Sequence, residues 1–158
     1  MIFVAVGHAQ PFERLIKHMD ELSSQLDEPV IQQIGRSARP IHCESFDYAS
    51  SLTPYYQQAR LIVAHAGVGI TLEILKMNTP VILVPRQQRF GEHFDDHQIE
   101  TAEKFKEVYG LTYILDIEKL TMNMLNDYSY IAPRKNSSLC RFRDNIPRIL
   151  HICPPSER

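Results

Sequence analysis

Cysteine is scarce. The 158-residue chain has three, Cys43, Cys140 and Cys153, an odd number without CxxC spacing. That pattern excludes a disulfide framework and a zinc ribbon and fits a reducing compartment. Excess positive charge is also missing: the formal net charge is −2, whereas nucleic-acid-binding surfaces are basic. No nucleic-acid partner is therefore expected. The best local basic cluster, Arg134-Lys135 with Arg141 and Arg143, reads as a solvated face. No apolar run approaches the roughly 20 residues of a bilayer span, so any membrane attachment is expected to come through another molecule. The opening residues 1–6 lack a basic leader and a small-residue cleavage site and read as a first strand, not a signal peptide. Repeats and low-complexity linkers are absent as well.

What is present fits one compact α/β domain over 1–158, with 44% hydrophobic and 23% charged residues. Short Val/Ile/Leu runs predict strands at 2–6, 30–34, 41–46, 61–64, 81–84 and 112–115. Helical spacing predicts helices over 12–26, 55–59, 70–77, 92–109, 117–125 and 138–150, with 127–138 a loop and 154–158 a frayed tail. Continuously apolar strands alternating with helices indicate a Rossmann-like parallel sheet covered on both faces. Ligands of such sheets bind beyond the carboxyl ends of the strands. The loops 7–10, 65–69 and 85–91 lie there, and polar and glycine residues concentrate in them.

Gly67-Val68-Gly69 falls between a buried strand and a helix. Glycines let a ligand approach the backbone, and the N–H groups of a helix start suit a phosphate; a plain tight turn is the alternative. No Gly-Lys-Ser/Thr follows, so this is not a P-loop, and no GxGxxG follows the first strand, which argues against a dinucleotide dehydrogenase. Thr71 adds a hydroxyl. Glu73 either favours the helix dipole or accepts hydrogen bonds from both ribose hydroxyls of a nucleotide, as an acceptor-only carboxylate can. His93 and His97, four apart, raise the question of a metal; no third ligand stands at a fixed spacing, and Asp95-Asp96 is not the Asp-x-Asp that holds a metal–nucleotide diphosphate. The alternative there is hydroxyl recognition by Gln98, with Asp95 or Asp96 capping the helix.

Three ordered blocks carry a resemblance: His65-Ala66-Gly67-Val68-Gly69-Ile70-Thr71-Leu72-Glu73, Pro80 to Arg86, and Gly91-Glu92-His93-x-x-Asp96-His97-Gln98. With the start Val6-Gly7 through Gln10-Pro11-Phe12-x-Arg14, they resemble the C-terminal domain of family 28 glycosyltransferases over residues 1 to about 115. The similarity is greater to the small donor-binding subunits of two-chain transferases, which build dolichol-linked chitobiose in eukaryotes and exopolysaccharide or capsule units in bacteria. Val84-Pro85-Arg86 and Gly91-Glu92-His93 favour the bacterial branch.

The resemblance implies half of a GT-B architecture, an inverting transfer from a UDP-sugar without metal or other cofactor, and a lipid-linked saccharide acceptor. It also implies a membrane-associated, acceptor-binding partner that holds the chain at the cytoplasmic face of a membrane. By position, Gly67 and Gly69 would line the diphosphate and Glu73 the ribose, with Gly7, His65, Val68 and Thr71 also at the UDP-sugar site. Gln98, with Asp96 and His97, would take the sugar hydroxyls, and Arg86 would sit near the uracil or the partner. His8 is the candidate catalytic group, in contact with the diphosphate or as base. Two positions depart from the family pattern. Ile70 stands where Ser or Thr is usual, and Gly7-His8-Ala9-Gln10-Pro11-Phe12 replaces Gly-Thr-His-Glu-Gln-Pro-Phe. These departures support the alternative of a non-catalytic nucleotide-sugar-binding or partner-activating module. An epimerase of this architecture would carry both halves in one chain. An orphan half is expected to expose an apolar face, using Tyr55, Tyr56, Phe90 or Phe94, which leaves a homo-oligomer in isolation open.

Overall fold

The computed structural model describes residues 1–127. The expected helix at 138–150, the basic cluster, Cys140, Cys153 and the tail lie outside them. Six strands, β1 (Ile2–Ala5), β2 (Val30–Gln33), β3 (Glu44–Phe46), β4 (Leu61–His65), β5 (Val81–Val84) and β6 (Thr112–Tyr113), form one sheet in the order β3-β2-β1-β4-β5-β6. Every pairing is parallel. The helices are α1 (Glu13–Ser23), α2 (Thr53–Gln58), α3 (Val68–Lys76), α4 (His97–Tyr109) and α5 (Met122–Asn126).

The strand sequences explain the layering. Side chains alternate across a sheet, and here both alternating sets are apolar. Ile2, Val4 and Val6 join Phe12, Leu15, Ile16 and Met19 of the α1 region and Leu120 and Leu125 near α5 in one core. Phe3 and Ala5 point the other way, into a second core with Tyr56 of α2, Ile74 of α3 and Ala102, Phe105 and Tyr109 of α4. A strand buried on both faces needs no polar alternation, which is why these runs read as continuous in the sequence.

Four expectations are corrected. The third strand is shorter than 41–46, because the Asp20 carboxylate accepts the backbone N–H groups of Ile41 (2.8 Å) and His42 (2.7 Å), taking them out of the ladder; Ile41 is 86% exposed. The helix expected over 92–109 starts only at His97. Before it, Glu92 and Asp96 spend their carboxylates on the N–H groups of Gln87 and Gln88 (3.0 and 2.8 Å), holding 88–90 in a 3-10 turn. The stretch 117–125 splits in two, because Asp116 and Thr121 each cap a separate turn, accepting from the N–H of Glu118 and of Met124. Finally, Tyr55 and Tyr56 serve the core and not an outer face. Tyr56 is buried, and Tyr55 stacks on Phe3 and Phe46 with centroids at 5.0 and 4.7 Å. Phe90 and Phe94 are exposed as expected.

The amino end of the sheet is closed by ions. Glu28 forks onto Arg60 (Nε at 2.7 and 2.8 Å) and reaches the Met1 amino group at 3.2 Å, while Arg60 Nη1 donates to the Leu125 carbonyl at 2.9 Å. The Arg60 guanidinium holds the Glu28 carboxyl below its ordinary value of 4.5. A depressed carboxyl contributes its stability above the unfolded pKa and loses it as pH falls through the folded one. Glu28→Gln is therefore expected to cost about 1–2 kcal/mol at pH 7. In urea denaturation the gap between wild type and variant closes at pH 3.

Candidate functional site

The order of strands reverses between β1 and β4, so the loops leaving their carboxyl ends diverge and open a crevice. His65, the last residue of β4, fills its floor. Its Nδ1 lies 3.3 Å from the Ala5 carbonyl, which places the ring proton on Nδ1 and leaves Nε2 as an acceptor. Loss of hydration pushes its pKa down from 6.5 to about 4, with the charges of Arg86 and His93 acting in the same direction. His65 is thus neutral at pH 7. The ring explains a glycine: a Cβ on Gly67 would lie 2.5 Å from His65 Nε2, inside any van der Waals contact.

Helix α3 begins at Val68, earlier than expected, with Gly67 at its N-cap. The first turn therefore includes Val68, half-buried, and Gly69, which is exposed. Packing does not account for Gly69, since a Cβ there meets nothing within 4 Å. Thr71 departs from its expected role: it is fully buried and its hydroxyl donates to the Gly67 carbonyl at 2.7 Å, so it offers no ligand contact. Glu73 is exposed, and the described residues give its carboxylate no hydrogen-bond partner.

Arg86 also differs from expectation. It is 4% exposed and stands under the site, away from any outer surface. One nitrogen, Nη2, donates to the carbonyls of Val6 and Gln10, both at 2.7 Å, and the guanidinium lies 4.9 Å above the Phe12 ring. These bonds bracket the first loop, Gly7-His8-Ala9. Its Nε is buried without a partner. Burial lowers its pKa from 12.5 to about 10, opposed by the Glu92 charge, and the group stays cationic. Gln98 is buried too. Its Oε1 accepts the Arg86 backbone N–H at 3.1 Å, so only the Nε2 amide is left to donate outward. His8 is exposed, edge-on to Tyr48 at 5.9 Å.

Several residues that shape the site were not singled out from the sequence. Gln33 clamps Gly7 through both backbone groups, its Oε1 accepting from Gly7 N and its Nε2 donating to Gly7 O, each at 2.9 Å. Gly35 passes so close that a Cβ would lie 2.2 Å from the Gly7 carbonyl oxygen. Arg14 grips Glu92 with two bonds, 2.7 and 2.9 Å, between the rings of Phe12 and Phe90. Two polar residues ending an apolar strand, Gln32 and Gln33, were the available signal for Gln33. Arg14 belongs to the opening stretch of the resemblance, but nothing local marks its partner, 78 residues away. The His93–His97 segment holds a further difference. The two imidazoles do not share a helix face, because only His97 is helical, and Asp95 stands between them with its Oδ1 3.0 Å from His93 Nδ1 and in contact with His97 Nδ1. Asp95 thus supplies the third group that sequence spacing did not reveal.

The edge is biased towards anions. Arg86 is cationic, α3 and α4 present their amino ends, and Glu92 is neutralised by Arg14. Comparison with known proteins agrees with a ligand-binding half-domain. Residues 1–148 match the glycosyltransferase family 28 C-terminal domain. The chain is 30% identical over 126 residues to the UDP-N-acetylglucosamine transferase subunit ALG13 of Homo sapiens, covering 71% of this chain and 11% of that protein. To the subunit of the same name in Yarrowia lipolytica it is 31% identical over 121 residues, 66% of this chain and 59% of that one. The chain thus spans less than two thirds of these relatives' lengths. In fold it is similar to Acinetobacter baumannii MurG (TM-score 0.61, 17% identity, 82% of this chain and 42% of that chain) and to the solution structure of ALG13 (TM-score 0.59, 19% identity, 90% and 92%).

The wedge of His65 against Gly67 is directly testable. Gly67→Ala is expected to cost about 1–3 kcal/mol, and less in a His65→Ala background, with a coupling of at least about 0.5 kcal/mol in a double-mutant denaturation cycle. Because the folded pKa of His65 is depressed, wild-type stability is lost as pH falls from 6.5 towards 4. His65→Ala is expected to flatten that part of a stability–pH profile.

Proposed function

The chain belongs to the glycosyltransferase family 28 C-terminal domain family, and from that premise we propose that it binds a UDP-sugar as the donor-binding subunit of an inverting transferase. The observation that carries this reading is the exposed Gly69 in the first turn of α3: it keeps open space that no packing demands, one turn from the exposed carboxylate of Glu73, which has no hydrogen-bond partner among the described residues. The diphosphate sits on the N–H groups of that turn, in the field of Arg86, and needs no metal of its own. Glu73 takes the ribose hydroxyls. The Gln98 amide donates to the sugar, with Asp96 and His97 beside it. The name shared by the relatives supports UDP-N-acetylglucosamine as donor.

In the transfer, an acceptor hydroxyl attacks C1 of the sugar, the new glycosidic bond forms, and the bond to the diphosphate breaks. The helix N–H groups stabilise the leaving UDP, pre-aimed at its developing charge. The hydroxyl proton goes to a base from the partner subunit or, in the first loop, to the exposed His8. No helix among the described residues is long and apolar enough to cross a membrane. The reading therefore gives the lipid-linked acceptor, and attachment at the cytoplasmic face, to a membrane-associated partner. The Val84-Pro85-Arg86 and Gly91-Glu92-His93 pieces support exopolysaccharide or capsule assembly as the setting. Ile70 and the shortened first loop support a second reading, a nucleotide-sugar-binding or partner-activating module without turnover. UDP release in the presence of the partner separates the two.

Glu73→Ala is expected to weaken UDP at least about tenfold in calorimetry; unchanged affinity removes the ribose role. Gly69→Ala should stabilise the fold by up to about 1 kcal/mol through helix propensity while weakening UDP, a combination that ordinary damage does not produce. Gln98→Ala is expected to weaken UDP-sugar more than UDP, and equal losses contradict its assignment to the sugar.

A further inference from the structure

The turn between Gly91 and the start of α4 gathers three side chains with metal-binding atoms. His93, Asp95 and His97 each offer one such atom, and these lie within 4.8 Å of one another. No other group of three or more His, Cys, Asp or Glu is so disposed among the described residues. Both imidazoles turn Nδ1 to the same carboxylate oxygen of Asp95, their rings edge-on with centroids 4.4 Å apart. The His97 backbone N–H reaches that oxygen as well, at 3.2 Å. With both imidazoles protonated on Nδ1, three N–H donors would meet on one oxygen, while the Asp95 backbone N–H, 3.4 Å from His93 Nδ1, already addresses that nitrogen as an acceptor. A cation at this point replaces the two imidazole N–H donors by two lone pairs, the protons moving to the outer Nε2 atoms.

We propose that His93, Asp95 and His97 form a three-ligand site for a divalent cation of the zinc class. Two imidazole nitrogens and one carboxylate oxygen suit zinc, whereas magnesium and calcium favour all-oxygen sets. The Asp95 and His97 side chains are 44% and 42% exposed, so the fourth coordination position opens to solvent and accepts water or another oxygen ligand. Phe94, its ring tilted against His93 with centroids 4.2 Å apart, gives one wall an apolar lining. Two features oppose the cation, the amino end of α4 and the charge of Arg86, which acts on His93. They lower the expected affinity below that of a closed structural zinc site. The inference stands on this cluster and does not rest on nucleotide binding.

The test uses the full chain stripped with EDTA and titrated with zinc against a chromogenic chelator. The expected result is one equivalent of zinc, weakened at least about tenfold by His93→Gln and by Asp95→Asn and not displaced by millimolar magnesium. Both variants are to be checked for wild-type melting without zinc. Equal zinc binding by wild type and variants, or no saturable equivalent, overturns the proposal. Should a variant not fold, imidazole NMR of the wild type decides: zinc shifts the His93 and His97 resonances together, and their failure to move overturns it. UDP affinity measured in EDTA reads the nucleotide site separately, so either conclusion can fail without the other.

Discussion

The buried guanidinium of Arg86 is the constraint on which the carboxyl edge of the sheet depends. One of its nitrogens ties the carbonyls of Val6 and Gln10, and its backbone N–H is held by Gln98. Three segments, the loop after β1, the end of β5 and the first turn of α4, are therefore tied together. A desolvated cation is costly unless its donors are satisfied. Here two carbonyls take Nη2 while Nε is buried without a partner among the described residues, and no carboxylate of those residues quenches the charge at hydrogen-bond distance. The positive potential is thereby retained at the place where the strands end.

The carboxylates around the site are divided by use. Glu92 is consumed by Arg14 and by the backbone of its own loop, and Asp96 by the N–H of Gln88. Asp95 is consumed by two histidines. Glu73 has no such engagement among the described residues and stands exposed on α3. The distribution separates groups that hold the loops from one that faces outward, and it explains why a segment so rich in acids still belongs to an edge that favours anions. The opposite end of the sheet carries the Glu28–Arg60 pair, a closure of the fold and not a site. The ion pair that closes the fold and the candidate site thus lie at opposite ends of the same six strands.

Much of the fold was legible because parallel strands buried on both faces read as unbroken apolar runs, and five of the six were found with boundaries off by no more than two residues. The third was overextended because the competitor for its backbone, Asp20, lies on another helix. The glycine turn, Glu73 and Gln98 were legible as candidates because glycine after a strand and acids on a helix are local signals. Thr71 was not, because a hydroxyl in a helix's first turn looks the same in sequence whether it points out or bonds back to the Gly67 carbonyl. Tyr55 and Tyr56 were assigned outward for want of any sign that Phe3 and Phe46 stack against them.

By itself the sequence determined the sheet class, the edge on which polar groups gather, and the blocks by which the family is known. Those follow from side-chain periodicity and from spacing along the chain. Only the tertiary structure decided that Arg86 is a buried tie, that His65 is neutral and wedged against Gly67, and that Asp95 joins His93 and His97. Each of these depends on distance through space or on loss of water, and neither quantity is written in the order of residues.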